Sequence, residues 1–147
     1  MKCYKVKLQL AKEKTIEYDH KIKTPSDIVA FINSQEGYDL SANERAIVIA
    51  LDTKNHIIAY SEMGVGAIDN CNIDIPSIFR FLFTTNSIRF ILAHNHPSGD
   101  STPSPLDITI TKELLKASKL MRLTMLDHIV IGDNEYTSIL SKIKEGK

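Results

Sequence analysis

The stretch that most constrains this chain is Ala93-His94-Asn95-His96-Pro97-Ser98-Gly99-Asp100-Ser101-Thr102-Pro103-Ser104-Pro105-Leu106-Asp107. It begins where the apolar run Ile88 to Ala93 ends, and it closes where an amphipathic helix should start. The run reads as a central, buried strand. His94 and His96 are two residues apart, so at an extended strand end both side chains project to one side. Asp107, in the first turn of the next helix, brings a carboxylate back to them. Two imidazoles and a carboxylate make a zinc ligand set with one tetrahedral position left for water. An ion so held lowers the pKa of that water toward about 7. The carboxyl end of a strand is also where sites gather in α/β sheets.

Each part of the stretch has a plainer reading. An isolated His-x-His is more often two surface histidines. Ser104-Pro105-Leu106-Asp107 is a complete helix start by itself, with Ser at the N-cap, Pro in the first turn and Asp near the positive end of the dipole. The two readings of Asp107 are compatible, because a carboxylate at that position can also face a metal. The joint pattern His-x-His-x7-Ser-x2-Asp is what favours a metal site.

The rest of the chain frames that loop. Residues 4 to 12 alternate, with Tyr4, Val6, Leu8 and Leu10 on one face, and predict a half-buried strand. Thr15 to Ile22 is its candidate hairpin partner. Thr24-Pro25-Ser26-Asp27 opens a helix that Gly37 should end, with loop from Tyr38 to Asn43. Arg45 to Asp52 is a buried strand, and His56 to Tyr60 returns as its hairpin mate until Gly64 and Gly66 break it. Asp74-Ile75-Pro76-Ser77 starts a helix, and Pro105 to Leu120 is another. In that second helix Leu106, Ile110, Leu114, Ala117 and Met121 mark one face. Leu123 to Ile131 is a further buried strand, Glu135 to Ile139 a short last one, and Ser141 to Lys147 a charged tail. The expected fold is α/β, a mixed central sheet with helices on both faces. It forms one domain over 1–147, with 1–40 an extension of strands and one helix and about 40–140 the core.

Composition narrows the class. Lys+Arg and Asp+Glu are both 18, so the net charge is zero. That argues against bulk electrostatic binding of nucleic acid. Cys3 and Cys71 form no framework and no C-x-x-C, which points to a reduced, cytoplasmic protein. No apolar h-region and no run of membrane-spanning length is visible. Two false leads fall away: His94-Asn95-His96 spells the name of the HNH nucleases, whose residues are dispersed, and the zinc deaminases need H-x-E with P-C-x-x-C.

His94-x-His96-x7-Ser104-x2-Asp107 resembles the JAMM motif of the JAB/MPN metalloproteases. The wider segments Ile91 to Asp100, Pro103-Ser104 and Leu126 to Gly132 look like the RadC branch of that superfamily, a likeness covering roughly Leu40 to Ile139. The resemblance implies the JAB-domain sheet, akin to cytidine deaminase. It implies His94, His96 and Asp107 as Zn(2+) ligands and Ser104 as a donor to the oxyanion. It also implies an upstream glutamate that holds the water and shuttles its proton, for which Glu44 fits best and Glu62 is the reserve. The implied activity is zinc-dependent hydrolysis of a peptide or isopeptide bond, with a protein or peptide substrate, in a DNA-repair-associated setting. Two alternatives stand beside it: a non-catalytic zinc-, DNA- or protein-binding accessory module, and a metal-dependent nuclease.

Two departures qualify the likeness. RadC proteins usually begin with a helical segment holding a helix-hairpin-helix element, whereas residues 1 to 40 read as strands and one helix. Where the family has Pro-Arg-Glu before the His strand, this chain has Pro76-Ser77-Ile78. Among the remaining candidates, Asp127 or His128 suits an outer role that orients a ligand histidine. His20 and His56 read as solvated, Cys71 lies in a polar loop near the glycine turn, and Lys142, Lys144 and Lys147 form a weak basic tail.

Overall fold

A computed structural model describes residues 2–5, 7, 9–35, 43–65 and 73–145. Its centre is strand β1 (Arg45–Leu51), where Ala46 to Leu51 are all buried. Alternate residues of this strand serve two cores. Ala46, Val48 and Ala50 face helices α2 (Ile75–Thr84) and α3 (Pro105–Leu120). Ile47, Ile49 and Leu51 face helix α1 (Pro25–Ser34) through Ile28, Phe31 and Ile32. A strand covered on both faces has no need of polar alternation, which is why β1 reads as one apolar run.

Strands β2 (Ile57–Val65), β3 (Arg89–Asn95), β4 (Thr124–Ile131) and β5 (Tyr136–Ser138) complete a mixed sheet in the order β2-β1-β3-β4-β5. Only the β3–β4 pair is parallel, and α3 makes its crossover. The sheet with helices on both faces is the α/β architecture expected. The three longer helices start by capping. Asp27 accepts from the backbone N of Lys23 and of Thr24, both at 2.8 Å. Asp74 accepts from Ser77 N, and Ser104 and Asp107 cap reciprocally.

Several sequence expectations are corrected. Among the described residues of 4–12 there is no strand. Tyr4 is 79 % and Leu10 45 % exposed, so no core receives these two residues of the alternating face; Val6 and Leu8 lie outside the described residues. Of the proposed hairpin partner only Lys21 bridges, to His56. Strand β2 does not stop at Gly64 but pairs it with Ala46. The register jumps past Met63 there, so Gly64 sits at a bulge instead of a break. The tail folds as helix α4 (Ile139–Glu145), because Ile139 and Leu140 are buried. His56 is half-buried, not solvated, with Nδ1 3.0 Å from Asp52 Oδ2. In α3 the buried stripe is Asp107, Thr111, Leu114 and Ser118, while Leu106 and Met121 are exposed. Gly37, Gly66, Cys71, Lys147 and most of the 38–43 loop fall outside the described residues. No helix among the described residues is long and apolar enough to cross a membrane.

Candidate metal centre

The site forms where β3 and β4, running parallel, end side by side. The backbone N of His96 donates to Ile131 O at 2.8 Å and carries the ladder one residue past β3. Phe90 and Leu92 face the α2/α3 core, and the period of two puts His94 and His96 on that same side. Helix α3 lies over it and delivers Asp107 from its first turn. Glu44 arrives from β1: it stands two residues before Ala46, which pairs with His94 across the β1–β3 ladder.

These four residues are the one group among the described residues whose donor atoms could hold a metal ion, all lying within 4.8 Å of one another. His94 Nε2 is 3.1 Å from His96 Nε2 and 3.3 Å from Asp107 Oδ1, and His96 Nε2 is 3.5 Å from Asp107 Oδ2. Donors about 2.0–2.1 Å from a tetrahedral ion stand about 3.3–3.4 Å apart. The two imidazole nitrogens, and each of them with its nearer Asp107 oxygen, stand at about that separation, so the donor chemistry and spacing suit such an ion. Glu44 Oε1 is set back at 3.9 Å from His94 Nε2.

The electrostatics suit a cation. Burial would raise the Asp107 carboxyl, but hydrogen bonds from His94, His96 and Ser104 outweigh it and hold Asp107 well below the usual carboxylate range. The hydrogen bond to Asp107 pushes the His96 imidazole up, against the opposing effect of burial. Ser104 belongs to this arrangement through its cap. Its hydroxyl and its backbone N both reach Asp107 Oδ2 at 2.7 Å.

A second ring of groups fixes the first. His94 Nδ1 lies 2.8 Å from His128 Nε2, and His128 Nδ1 lies 2.6 Å from Thr111 Oγ1. His128 is fully buried, and burial, then the neighbouring His94, pushes its imidazole well down. Asn95 is buried on the opposite side. Its Oδ1 accepts from Arg45 N at 2.8 Å and its Nδ2 donates to Asn43 O at 3.1 Å, so it grips the backbone on both sides of Glu44. The loop beyond His96 is tied to the β4–β5 turn by Asp133 N donating to Gly99 O and by Ser101 N donating to Glu135 Oε1, both at 2.8 Å. A cavity of about 650 Å³ opens beside His96, lined in part by Asn33, Gly132 and Tyr136.

The sequence singled out Glu44, His94, His96, Asp107 and Ser104, and the fold brings all five together. Glu62 lies elsewhere: Arg45 holds it in a bidentate pair, at 3.0 and 2.7 Å. Asp127 also turns away, accepting from Ser138 Oγ at 2.9 Å at the start of α4. Lys142 and Lys144 lie on α4, and His20 is exposed. Asn95 and Thr111 were missed. Thr111 carried a signal, since it is one helical turn after Asp107 and must share its face.

Comparison with known proteins agrees with this geometry. The family described as RadC-like JAB domain matches residues 22–145. A UPF0758 protein of Clostridium perfringens is 38% identical over 122 residues, covering 83% of this chain and 53% of the relative. One from Desulforamulus reducens is 36% identical over 121 residues, covering 82% and 52%. One from Chloroflexus aggregans is 32% identical over 125 residues, covering 85% and 54%. The chain thus spans about half the length of the curated relatives it matches. Since the matched segment includes the whole Glu44-His94-His96-Asp107 cluster, this chain belongs to the RadC-like JAB domain family.

Proposed function

We propose that the cluster is a zinc hydrolase centre of the JAMM type, cleaving a peptide or isopeptide bond in a protein or peptide substrate. His94, His96 and Asp107 hold the ion, and a zinc ion there supplies Lewis acidity and acidifies water. Glu44 takes a proton from the attacking water and returns it to the leaving nitrogen. Ser104 turns its hydroxyl proton from Asp107 Oδ2 toward the oxygen that gains charge. The observation that carries this reading is the spacing: two imidazole nitrogens 3.1 Å apart, each with an Asp107 oxygen at 3.3 or 3.5 Å, and a carboxylate set back at 3.9 Å. Free, exposed Cys3 suits the reducing cytoplasm, where we place the protein. A setting in DNA repair rests on the family resemblance alone.

The test is zinc content together with turnover of peptide and isopeptide-linked substrates by the whole chain. Wild-type protein is expected to hold about one equivalent of zinc and to lose turnover on chelation. Glu44→Gln is expected to keep the zinc and lose about 10²–10⁴-fold in rate, the usual worth of a general base. Less than about a tenth of an equivalent, unchanged in a His94→Ala/His96→Ala double variant, would sink the metal assignment.

A further inference from the structure

A metal takes the bare nitrogen of an imidazole, so the other ring nitrogen must keep its proton. For His96 the protein secures this directly: Nδ1 is 2.8 Å from the backbone oxygen of Asp100, which can only accept. His94 has no carbonyl at its Nδ1. It meets another imidazole, His128, and two histidines facing each other do not by themselves decide which one donates.

The decision is made further along. Thr111 Oγ1 lies 2.6 Å from the backbone oxygen of Asp107, again an acceptor only, so the single hydroxyl proton goes there. Thr111 Oγ1 can then only accept from His128 Nδ1, 2.6 Å away. With its proton on Nδ1, a neutral His128 has a bare Nε2. That bare nitrogen accepts from His94 Nδ1 at 2.8 Å. His128 is fully buried, a position that favours the neutral ring because a charge there would lose its water.

We propose that Thr111 and His128 are positioning residues that hold the ring proton of His94 on Nδ1 and so present its Nε2 to the metal. The donors run His94, His128, Thr111, and the final acceptor is the Asp107 carbonyl, so the chain begins and ends on two of the candidate ligands. Helix α3 therefore sets the carboxylate of one ligand and the tautomer of another from successive turns. The inference rests on the metal reading of the cluster, not on hydrolysis.

The experiment is long-range proton–nitrogen correlation spectroscopy of the histidine rings in metal-free whole chain at about pH 8. It is paired with zinc affinity measured by chelator competition. His128 is expected to show a protonated Nδ1 and a bare Nε2. Thr111→Ser keeps the hydroxyl and is expected to preserve both this pattern and the zinc Kd. Thr111→Val is expected to mix the His128 tautomers and weaken zinc binding by about 10–100-fold, the range for losing a group behind a ligand. A wild-type His128 protonated at Nε2 overturns the proposal even where zinc binds tightly. So does a folded Thr111→Val with unchanged tautomer and Kd. The expected His128 pattern in a chain that binds no zinc leaves the relay standing and removes the metal reading instead.

Discussion

Asn95 Oδ1 accepts the backbone N–H of Arg45 at 2.8 Å, in the position where the β1–β3 ladder would otherwise end. Because Asn95 also donates to Asn43 O, the residue between them, Glu44, has its backbone fixed from both sides. Asn95→Ala is expected to leave zinc stoichiometry unchanged while kcat falls about 10²-fold, the effect of displacing a reacting group by about 1 Å. Zinc analysis beside steady-state kinetics checks this; a kcat equal to wild type would count against the clamp.

Ser104 has a structural role that precedes any chemical one. Asp107 N donates to its Oγ at 3.1 Å, closing the first turn of α3. Ser104→Ala is expected to destabilise the metal-free protein by about 0.5–2 kcal/mol, and Ser104→Gly by only a few tenths. Urea titrations of both variants measure the difference. Activity lost in Ser104→Gly beyond this stability cost reports the hydroxyl's part in the reaction.

Gly132 sits where the β4–β5 turn meets the loop carrying His96. A Cβ there would stand 2.3 Å from Gly99 O and 2.8 Å from Ser101 N, both backbone atoms. Gly132→Ala is expected to cost about 1–3 kcal/mol through overpacking and to weaken zinc binding by moving the loop. Thermal unfolding without metal, followed by chelator competition, separates the two effects.

Asp127 is raised above the ordinary carboxyl value by burial, against hydrogen bonds from Ser138 and the backbone of His128 and Leu140. A raised carboxyl favours the folded state when protonated. Its contribution is present below the unfolded value of about 3.9 and is lost as pH rises through the raised folded value. Asp127→Asn keeps an oxygen for all three donors and removes the charge. Its Tm is expected to match wild type near pH 4 and to exceed it at pH 8, as a pH series of thermal melts will read.

The candidate site was legible because its chemistry is crowded into one stretch of chain. His94 and His96 share a strand end, and Asp107 is tied to Ser104 by ordinary helix capping. Glu44 was legible only by resemblance, since its approach to His94 depends on the β1–β3 register, which no local pattern encodes. The α3 face was legible in its middle and not at its ends. Its apolar residues Leu106, Ile110, Leu114, Ala117 and Met121 promised a hydrophobic contact. Ile110, Leu114 and Ala117 do pack in the apolar core, but the ends Leu106 and Met121 are exposed, and beside the polar strand end the fully buried stripe runs Asp107, Thr111, Leu114 and Ser118. Residues 4–12 show the converse: alternation is a strand signal only where something covers the apolar face, and Tyr4 and Leu10 are uncovered. Over 141–145, charge hid the larger part of a short helix that Ile139 and Leu140 anchor.

The parallel pairing of β3 with β4 divides the labour of the site. His94, His96, Ser104, Asp107, Thr111 and His128 all belong to a single strand–helix–strand segment between Arg89 and Ile131, with Glu44 alone coming from outside it. The candidate ligands His94, His96 and Asp107 are thus encoded in one contiguous piece of chain, and the proposed acid–base group, Glu44, is a separate part set just before β1. Replacing Glu44 alone would remove the proposed base and leave the three candidate ligands in place, so on this reading an enzyme and a metal-holding scaffold stand one substitution apart.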